Sequence, residues 1–282
     1  MLTVLEAINL SAGYLEKKGI EAPRINAELL LADILNCKRL DLYLRYDKPL
    51  TEEEKARYRI YLDRRGNYEP LQYILGKTEF YGIEFKVTPA VLIPRQETEI
   101  LVEEIIDKLK DSRKASVLDI GTGSGNIAIT LAKYLPDVEI TAIDKSEDAL
   151  RIAEENAAAN KVSDRIIFLK QDIRNFIPGS RFDLIVSNPP YINKEDFTQL
   201  RPELRVYEPR SALTDESSGL SFYEIICSKA PLLLKSGGFL FFETAFKKAD
   251  HVRRILSSNK FSNIKIKKDY SGIERVISGV FK

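Results

Sequence analysis

The stretch that decides the fold is VLDIGTGSGNIAI, residues 117–129. An apolar run typical of a buried strand leads into a glycine-rich loop, and an apolar helical segment follows. The loop consists of Gly121, Thr122, Gly123, Ser124 and Gly125. Glycine adopts positive φ without strain and lets the backbone approach a ligand, while a helix N-terminus favours anionic or hydrogen-bonding groups. The stretch therefore predicts a strand–loop–helix unit that binds a ligand.

Outward from this unit, short apolar runs alternate with helical segments, as in a parallel sheet covered by helices. The predicted strands are 117–120, 139–143, 166–169, 183–186 and 239–242, and the predicted helices are 127–135, 146–160, 221–234 and 249–257. The last runs, NIKIKK and ERVISGVF, predict a closing antiparallel pair of strands. Lys265 and Lys267 would protect its exposed edge.

Acidic residues follow the second and third predicted strands. Asp144 ends the run ITAID, and Asp172 comes directly after FLKQ. Ligands bind at the carboxyl ends of strands in such sheets, where Asp144 can accept both hydrogens of a ribose diol. Asp172 is placed to accept from an adenine amino group. Ordinary turn chemistry is the alternative interpretation for each residue taken alone.

The segment FDLIVSNPPYI, residues 182–192, ends a predicted core strand with Asn188, Pro189, Pro190 and Tyr191. Each proline removes a backbone donor and fixes φ, so neither strand nor helix continues through the pair. The segment predicts a rigid corner, named here the NPPY corner, that holds an amide and a phenol at the end of the strand. A tight turn ending an edge strand is the alternative.

These motifs together resemble class I S-adenosylmethionine-dependent methyltransferases. With EPLQYILGKTEFYG (69–82), VLIPRQETE (91–99) and YEPRSAL (207–213), the chain is similar to the HemK/PrmC family of protein-(glutamine-N5) methyltransferases. The resemblance implies a Rossmann-like, mostly parallel seven-stranded sheet with an antiparallel last strand, plus a small N-terminal helical bundle. It also implies S-adenosyl-L-methionine as cofactor, held by the glycine loop, Asp144, Asp172 and Asn188, with no metal. YSGIERV (270–276) departs mildly from the family, which more often has alanine before the glycine.

The substrate implied by the resemblance is the glutamine of the GGQ motif in class I peptide chain release factors. A carboxamide nitrogen is a weak nucleophile, because its lone pair is delocalised and lies perpendicular to the amide plane. We expect the Asn188 side-chain oxygen and the Pro189 carbonyl to accept the two N–H groups in that plane. Pro190 would stiffen the corner and Tyr191 would pack on the opposite amide face. Such positioning can lower a barrier by roughly 7–11 kcal/mol. The N-methylated cation is a strong acid that readily loses a proton, so no strong base is needed and no catalytic carboxylate or histidine is assigned.

Five further residues have two interpretations each. The resemblance implies that Arg95, Thr98 and Glu99 close over the methionyl end of the donor, but they also suit the start of a helix. Asp119 either orients the donor amino group or braces the glycine loop. Glu208 either lines the substrate channel or belongs to a salt-bridged loop.

The sequence pattern predicts a division of the chain into three parts. Residues 1–76 have helical periodicity and form a substrate-recognition domain, 77–94 form a β-hairpin linker, and 95–282 form the catalytic domain. Thr51 and Glu54 match a capping box at the start of a helix. These boundaries rest on the change from helical to alternating patterns near residue 78.

Composition excludes several classes of protein. With 44% hydrophobic and 30% charged residues and a formal net charge of +1, the chain is typical of a globular protein without a basic nucleic-acid face. No apolar run reaches the roughly 18–20 residues of a membrane helix. Two separated cysteines and one histidine argue against a zinc site or a disulfide scaffold. We expect a cytoplasmic monomer with no membrane contact.

Three alternatives remain open at this point. The NPPY corner equally suits an exocyclic amine, so a nucleic-acid methyltransferase is possible in chemical terms, and the basic runs KIKK and HVRR leave RNA contact open. A non-catalytic nucleotide-binding module would give the corner no role. A nicotinamide dehydrogenase is disfavoured because Asn126 occupies the third glycine position of its fingerprint.

Overall fold

A computed structural model describes residues 2–112 and 114–282 of the chain. They form two compact units, Met1–Lys77 with Arg201–Tyr207, and Thr78–Leu200 with Glu208–Lys282. The hairpin predicted as a linker lies almost wholly in the second unit. A segment far along the chain, Arg201–Tyr207, groups with the first. The predicted three-part division of the chain stays a prediction.

The first unit is helical, as its periodicity predicts. Its helices are α1 Val4–Lys17, α2 Pro23–Ile34, α3 Asp41–Leu44, α4 Glu52–Gly66 and α5 Leu71–Leu75. The capping box predicted at the start of α4 is confirmed: Glu54 N donates to Thr51 Oγ1 at 3.2 Å, and Thr51 N donates to Glu54 Oε2 at 2.7 Å. The two bonds satisfy the backbone N–H groups of Thr51 and Glu54, which have no partner within the helix.

A turn of π-helix, Glu203–Tyr207, is tied to this helical unit. Arg65 is 5% exposed and donates to Asn26 Oδ1 at 2.7 Å and to Glu203. The Tyr207 hydroxyl donates to the carbonyl of Asn67 at 2.8 Å. These bonds explain why a segment remote in sequence groups with the N-terminal helices.

The second unit begins with the hairpin β1 Lys77–Phe80 and β2 Ile83–Lys86 and contains a seven-stranded sheet. The strands of the sheet are β3 Ser116–Ile120, β4 Glu139–Asp144, β5 Ile166–Lys170, β6 Phe182–Ser187, β7 Leu234–Glu243, β8 Phe261–Lys268 and β9 Glu274–Phe281. The α-helices of this unit are α6 Glu97–Leu109, α7 Asn126–Tyr134, α8 Glu147–Ala159, α9 Lys194–Thr198, α10 Arg210–Leu213, α11 Ser221–Leu233 and α12 Ala249–Ser258.

The strand order is β5-β4-β3-β6-β7-β9-β8, and only β9 runs antiparallel to its neighbours. This confirms the predicted mostly parallel sheet with an antiparallel last strand. The predicted start of β7 at residue 239 was wrong by five residues. The run KSGG lies between the predicted helix and the predicted strand, and in the structure it continues the strand through a register shift opposite β6.

The central strands are buried on both faces, which is why they appear in the sequence as continuous apolar runs. Val117 and Leu184 pack with α6 and α7 on one face, whereas Leu118 and Ile185 pack with α11 on the other. A fully buried Leu or Ile side chain stabilises the fold by about 1.5–3 kcal/mol. The two layers thereby fix the sheet on which the loops stand.

The parallel register brings the ends of three strands to one edge. Ile120 at the end of β3 pairs with Ile143 of β4 and Ser187 of β6. The residues that follow, Gly121 and Asn188 among them, leave the sheet side by side at the point where the strand order reverses. Such a switch point forms a crevice for ligands. Across the described residues, no helix has the length and apolar character needed to cross a membrane.

Candidate active site

A cleft with a cavity volume of about 150 Å³ lies at the carboxyl ends of β3, β4, β5 and β6. The predicted site residues that line it are Gly121, Gly123, Asp144, Asp172, Asn188, Pro189 and Pro190. The fold thus brings the glycine loop, both acids and the NPPY corner to one cavity.

The three glycines of the loop have two different functions. All have positive φ, +75° at Gly121, +56° at Gly123 and +80° at Gly125. A Cβ at Gly121 or Gly123 would meet no atom within 4 Å, so both face open space in the cleft. A Cβ at Gly125 would lie 2.8 Å from Ile129 Cδ1 and 3.1 Å from Ala153 Cβ. Gly125 therefore permits the packing of α7 against α8, while the other two leave room for a ligand.

The carboxylates of Asp144 and Asp172 are half-buried and face the cleft. Asp144 Oδ2 accepts from Gly123 N at 3.0 Å, and Oδ1 accepts from Ser146 N at 2.9 Å. Asp172 Oδ1 accepts from Arg174 N at 2.9 Å. Each carboxylate has about four lone-pair sites, so both can still accept hydrogen bonds from a ligand while the backbone holds them in place.

Asp119 lies behind the glycine loop and is fully buried. Its Oδ2 accepts from Thr122 Oγ1 at 2.6 Å. Burial raises the pKa of Asp119 to about 7, although the Thr122 hydroxyl and the Ala128 amide oppose the rise. Asp119 Oδ1 and Ser124 Oγ have no hydrogen-bond partner within residues 2–112 and 114–282. The contact with Thr122 supports the loop-bracing interpretation of Asp119.

A chain of side-chain hydrogen bonds runs behind the NPPY corner. Asn188 Nδ2 donates to Thr98 Oγ1 at 3.2 Å, and Thr98 Oγ1 donates to Glu243 Oε2 at 2.6 Å. The Tyr191 hydroxyl approaches Glu243 Oε1 at 3.4 Å. Thr98 and Glu243 are each 1% exposed, and burial raises the pKa of Glu243 to about 7. One carboxyl group therefore connects both polar side chains of the corner.

Several predicted residues lie outside the lining of the cleft. Thr122, Ser124 and Gly125 belong to the glycine loop but are buried and do not line the cleft, and Tyr191 points towards Glu243. Arg95, Glu99 and Glu208 also form hydrogen bonds or ion pairs with other residues of the protein.

The start of α6 makes three separate contacts. Arg95 forms an ion pair with Glu208, whose side chain is 1% exposed. Glu99 Oε1 accepts from the backbone N of Tyr81 at 2.8 Å in the hairpin turn. Thr98 bonds to the corner as described above. These contacts give Arg95 and Glu208 the salt-bridged arrangement and show that Glu99 holds the hairpin.

Sequence reasoning missed some residues of the site. Val91 and Leu92 line the cleft and belong to the motif VLIPRQETE, but were given no role. Gln171 and Phe222 also line it, yet nothing in their local pattern separates them from core or surface residues. Glu243 had a usable signal, since it ends β7 as Asp144 ends β4. An acid at the carboxyl end of a parallel strand is a candidate site residue in this fold.

The topology and the cleft at its switch point define the class as a class I methyltransferase. Residues 96–216 match the family model "Methyltransferase small domain", and residues 6–76 match "PrmC N-terminal domain". The hMettl16 catalytic domain in complex with the MAT2A 3'UTR hairpin 6 aligns with a TM-score of 0.56 at 17% identity, covering 82% of this chain and 83% of that one. A methyltransferase from Pyrococcus furiosus aligns with a TM-score of 0.52 at 18% identity, covering 71% and 90%. At these identities the likeness shows the fold alone.

The chain belongs to the family of release factor glutamine methyltransferases and is thus a methyltransferase. A relative of that name from Geobacter sulfurreducens is 43% identical, covering 98% of this chain and 96% of the relative. Another from Chlorobaculum tepidum is 42% identical, again covering 98% and 96%. The family predicted from the sequence motifs is confirmed.

Proposed function

We propose that this methyltransferase transfers a methyl group from S-adenosyl-L-methionine to the side-chain amide nitrogen (N5) of the GGQ glutamine in class I peptide chain release factors, and thereby modulates translation termination. The observation that carries the proposal is the orientation of Asn188. This residue lines the cleft, and its Nδ2 is committed to Thr98. Its Oδ1 is thus left as an acceptor for the substrate amide. Family membership supports the release factor as the source of that amide.

The glycine loop and the two acids suit the adenosyl part of the cofactor. Gly121 and Gly123 leave open space where a side chain would stand, and the backbone there can contact the ligand closely. We assign Asp144 to the ribose diol and Asp172 to the adenine amino group. Thr122, Ser124 and Gly125, the buried residues of the loop, keep its backbone in place. When bound, S-adenosyl-L-methionine would supply a methyl group from its positively charged sulfur atom, and the S–CH3 bond breaks to leave S-adenosyl-L-homocysteine.

The NPPY corner holds the substrate amide in one plane. Asn188 Oδ1 and the Pro189 carbonyl accept its two N–H groups, and both residues line the cleft. These acceptors also stabilise the positive charge that develops on nitrogen as it gains the methyl group. The methylated nitrogen then loses a proton to water. Pro190 fixes the backbone of the corner, and Tyr191 is assigned to the opposite face of the amide.

The proposal also covers where the enzyme acts in the cell and how it recognises its protein substrate. Release factors act in translation, so we place the enzyme in the cytoplasm, and we expect it to act as a monomer on a folded protein partner. The N-terminal helical unit is assigned to recognition of that partner. No nucleic acid is a substrate in this scheme.

The test is methyl transfer to a purified release factor. The enzyme is incubated with donor carrying an isotopic methyl label and with a class I release factor, and the products are mapped by mass spectrometry. We expect label on the GGQ glutamine and none on a factor in which alanine replaces that glutamine. Label on added RNA or DNA would support a nucleic-acid methyltransferase instead. Label on neither substrate would refute the proposal.

A further inference from the structure

The NPPY corner depends on an orientation that shape alone does not fix. An asparagine side chain rotated by 180° about its Cβ–Cγ bond occupies nearly the same volume. The two orientations differ in chemistry, because one presents an oxygen acceptor and the other an NH2 donor. A substrate NH2 group needs the acceptor. Some contact of Asn188 must therefore select one orientation.

The selection begins at Glu243, which is buried at the far end of the hydrogen-bond chain. A carboxylate accepts hydrogen bonds and donates none, and a threonine hydroxyl has a single proton. Thr98 gives that proton to Glu243 Oε2 at 2.6 Å. A protonated Glu243 would still keep one acceptor oxygen, so Thr98 can donate to it in either state.

Thr98 passes this direction on to Asn188. With its proton committed, the Thr98 oxygen can only accept, and the Asn188 group 3.2 Å away has to be the NH2. No residue within the described parts of the chain donates to Asn188 Oδ1. The acceptor is thereby left free on a residue that lines the cleft.

We propose that Thr98, held by Glu243, is a positioning residue that keeps the Asn188 amide in the orientation that methyl transfer requires. The same carboxyl group accepts from Tyr191, so it connects both polar side chains of the corner. This inference rests on the function proposed above. It assigns Thr98 a role behind the amide-binding corner, and not over the methionyl end of the donor.

Two substitutions of Thr98 separate hydrogen bonding from shape. Thr98→Val keeps the branched shape and removes both hydrogen bonds, whereas Thr98→Ser keeps the hydroxyl. With a release factor as substrate, we expect Thr98→Val to lower kcat by about 10-fold or more, because a buried polar group loses its partner. The donor Kd from calorimetry should stay within about 3-fold of wild type, since Asn188 is not the main donor contact in this scheme. Thr98→Ser should recover most of the lost turnover.

Thr130→Val is a matched control for this substitution. Thr130 is also fully buried, but its hydroxyl donates to the carbonyl of Asn126 at 2.7 Å within α7 and does not reach the corner. We expect its kcat to match that of the wild type. A loss as large as that of Thr98→Val would mean that any buried Thr→Val change has this effect, and would overturn the inference.

A double-mutant cycle tests whether Thr98 acts through Asn188. In an Asn188→Ala background the amide is gone, so adding Thr98→Val should change kcat no further. A general packing role would instead reduce kcat by the same factor in both backgrounds. That additive result would overturn the inference.

The orientation can also be measured without turnover. The side-chain NH2 signals of Asn188 in an NMR spectrum, assigned by their loss in Asn188→Ala, should exchange slowly with solvent in the wild type and fast in Thr98→Val. Equal exchange in both proteins would overturn the inference. If the wild type shows this protection but transfers no methyl group to a release factor, the proposed function fails and the positioning contact stands.

Discussion

We expect two buried carboxyl groups to make the stability of this protein depend on pH. Asp119 is 0% and Glu243 1% exposed. Burial raises the pKa of each to about 7, from ordinary values of 3.8 and 4.5. Between pH 5 and 7 the folded protein therefore keeps two protons that the unfolded chain has largely lost. Because the folded state binds more protons, the free energy of unfolding must fall as the pH rises through this interval.

The magnitude follows from the width of the interval. One pKa unit corresponds to about 1.4 kcal/mol, so each carboxyl lowers the free energy of unfolding by roughly 2–3 kcal/mol between pH 5 and 8. Both together lower it by roughly 5 kcal/mol, a large part of the ~5–15 kcal/mol typical of a folded protein. Backbone hydrogen bonds lower the pKa of Glu54 and of Asp269. Such groups are ionised in both the folded and the unfolded state above pH 5, so they add little to the change of the free energy of unfolding with pH.

Urea unfolding at pH 5, 6, 7 and 8, without donor, measures this slope. Circular dichroism is the suitable signal, because the chain has no tryptophan. Asp119→Asn and Glu243→Gln should each remove about half of the slope, while Asp148→Asn, a change in an exposed ion pair with Arg151, should leave it unchanged. A wild-type stability that is flat or rises between pH 5 and 8 would refute the reasoning. The reasoning would also be refuted if the free energy of unfolding of Asp119→Asn and Glu243→Gln changed with pH as steeply as that of the wild type.

Three further substitutions test the NPPY corner, an acid of the cleft and the glycine loop. Asn188→Ala should lower kcat by about 10²–10³-fold, as loss of one preorganised hydrogen-bonding group does, with donor Kd from calorimetry changed far less; equal losses would contradict its role. Asp144→Ala should weaken donor binding about 10-fold or more in the same assay, whereas Asp148→Ala should not. Gly125→Ala should lower the midpoint of thermal unfolding, because its Cβ would crowd Ile129 and Ala153 at a positive φ; an unchanged midpoint would show that the backbone relaxes there.

Much of the fold could be predicted because its signals are local. A continuous apolar run such as LIV in β6 is long enough for a strand and too short for a helix, and two prolines end it whatever surrounds them. The glycine loop and the acids after β4 and β5 lie within a few residues of the strands that place them. Where a local pattern was ambiguous, as in KSGG before residue 239, the strand boundary was wrong.

The side-chain contacts of the site could not be predicted in the same way. From the sequence, the residues at the start of α6 suited either a loop that closes over the methyl donor or the first turn of a helix. Their contacts decide between the two roles: Arg95 pairs with Glu208, and Glu99 bonds to the hairpin. Phe222 reaches the cleft from α11 with no mark in its own segment. Each contact joins parts of the chain whose distance in space depends on how the helices pack on the sheet.

The sequence by itself determined the order of strands and helices, the glycine loop, the acids and the NPPY corner, because φ restrictions and hydrophobic periodicity act over a few neighbouring residues. Only the tertiary structure decided which way the Asn188 amide faces. That choice needs Thr98, 90 residues away, and Glu243, which is 145 residues from Thr98. A hydrogen bond has a direction and a length limit of about 3.2 Å, so it exists only once the sheet and α6 have brought these three side chains together.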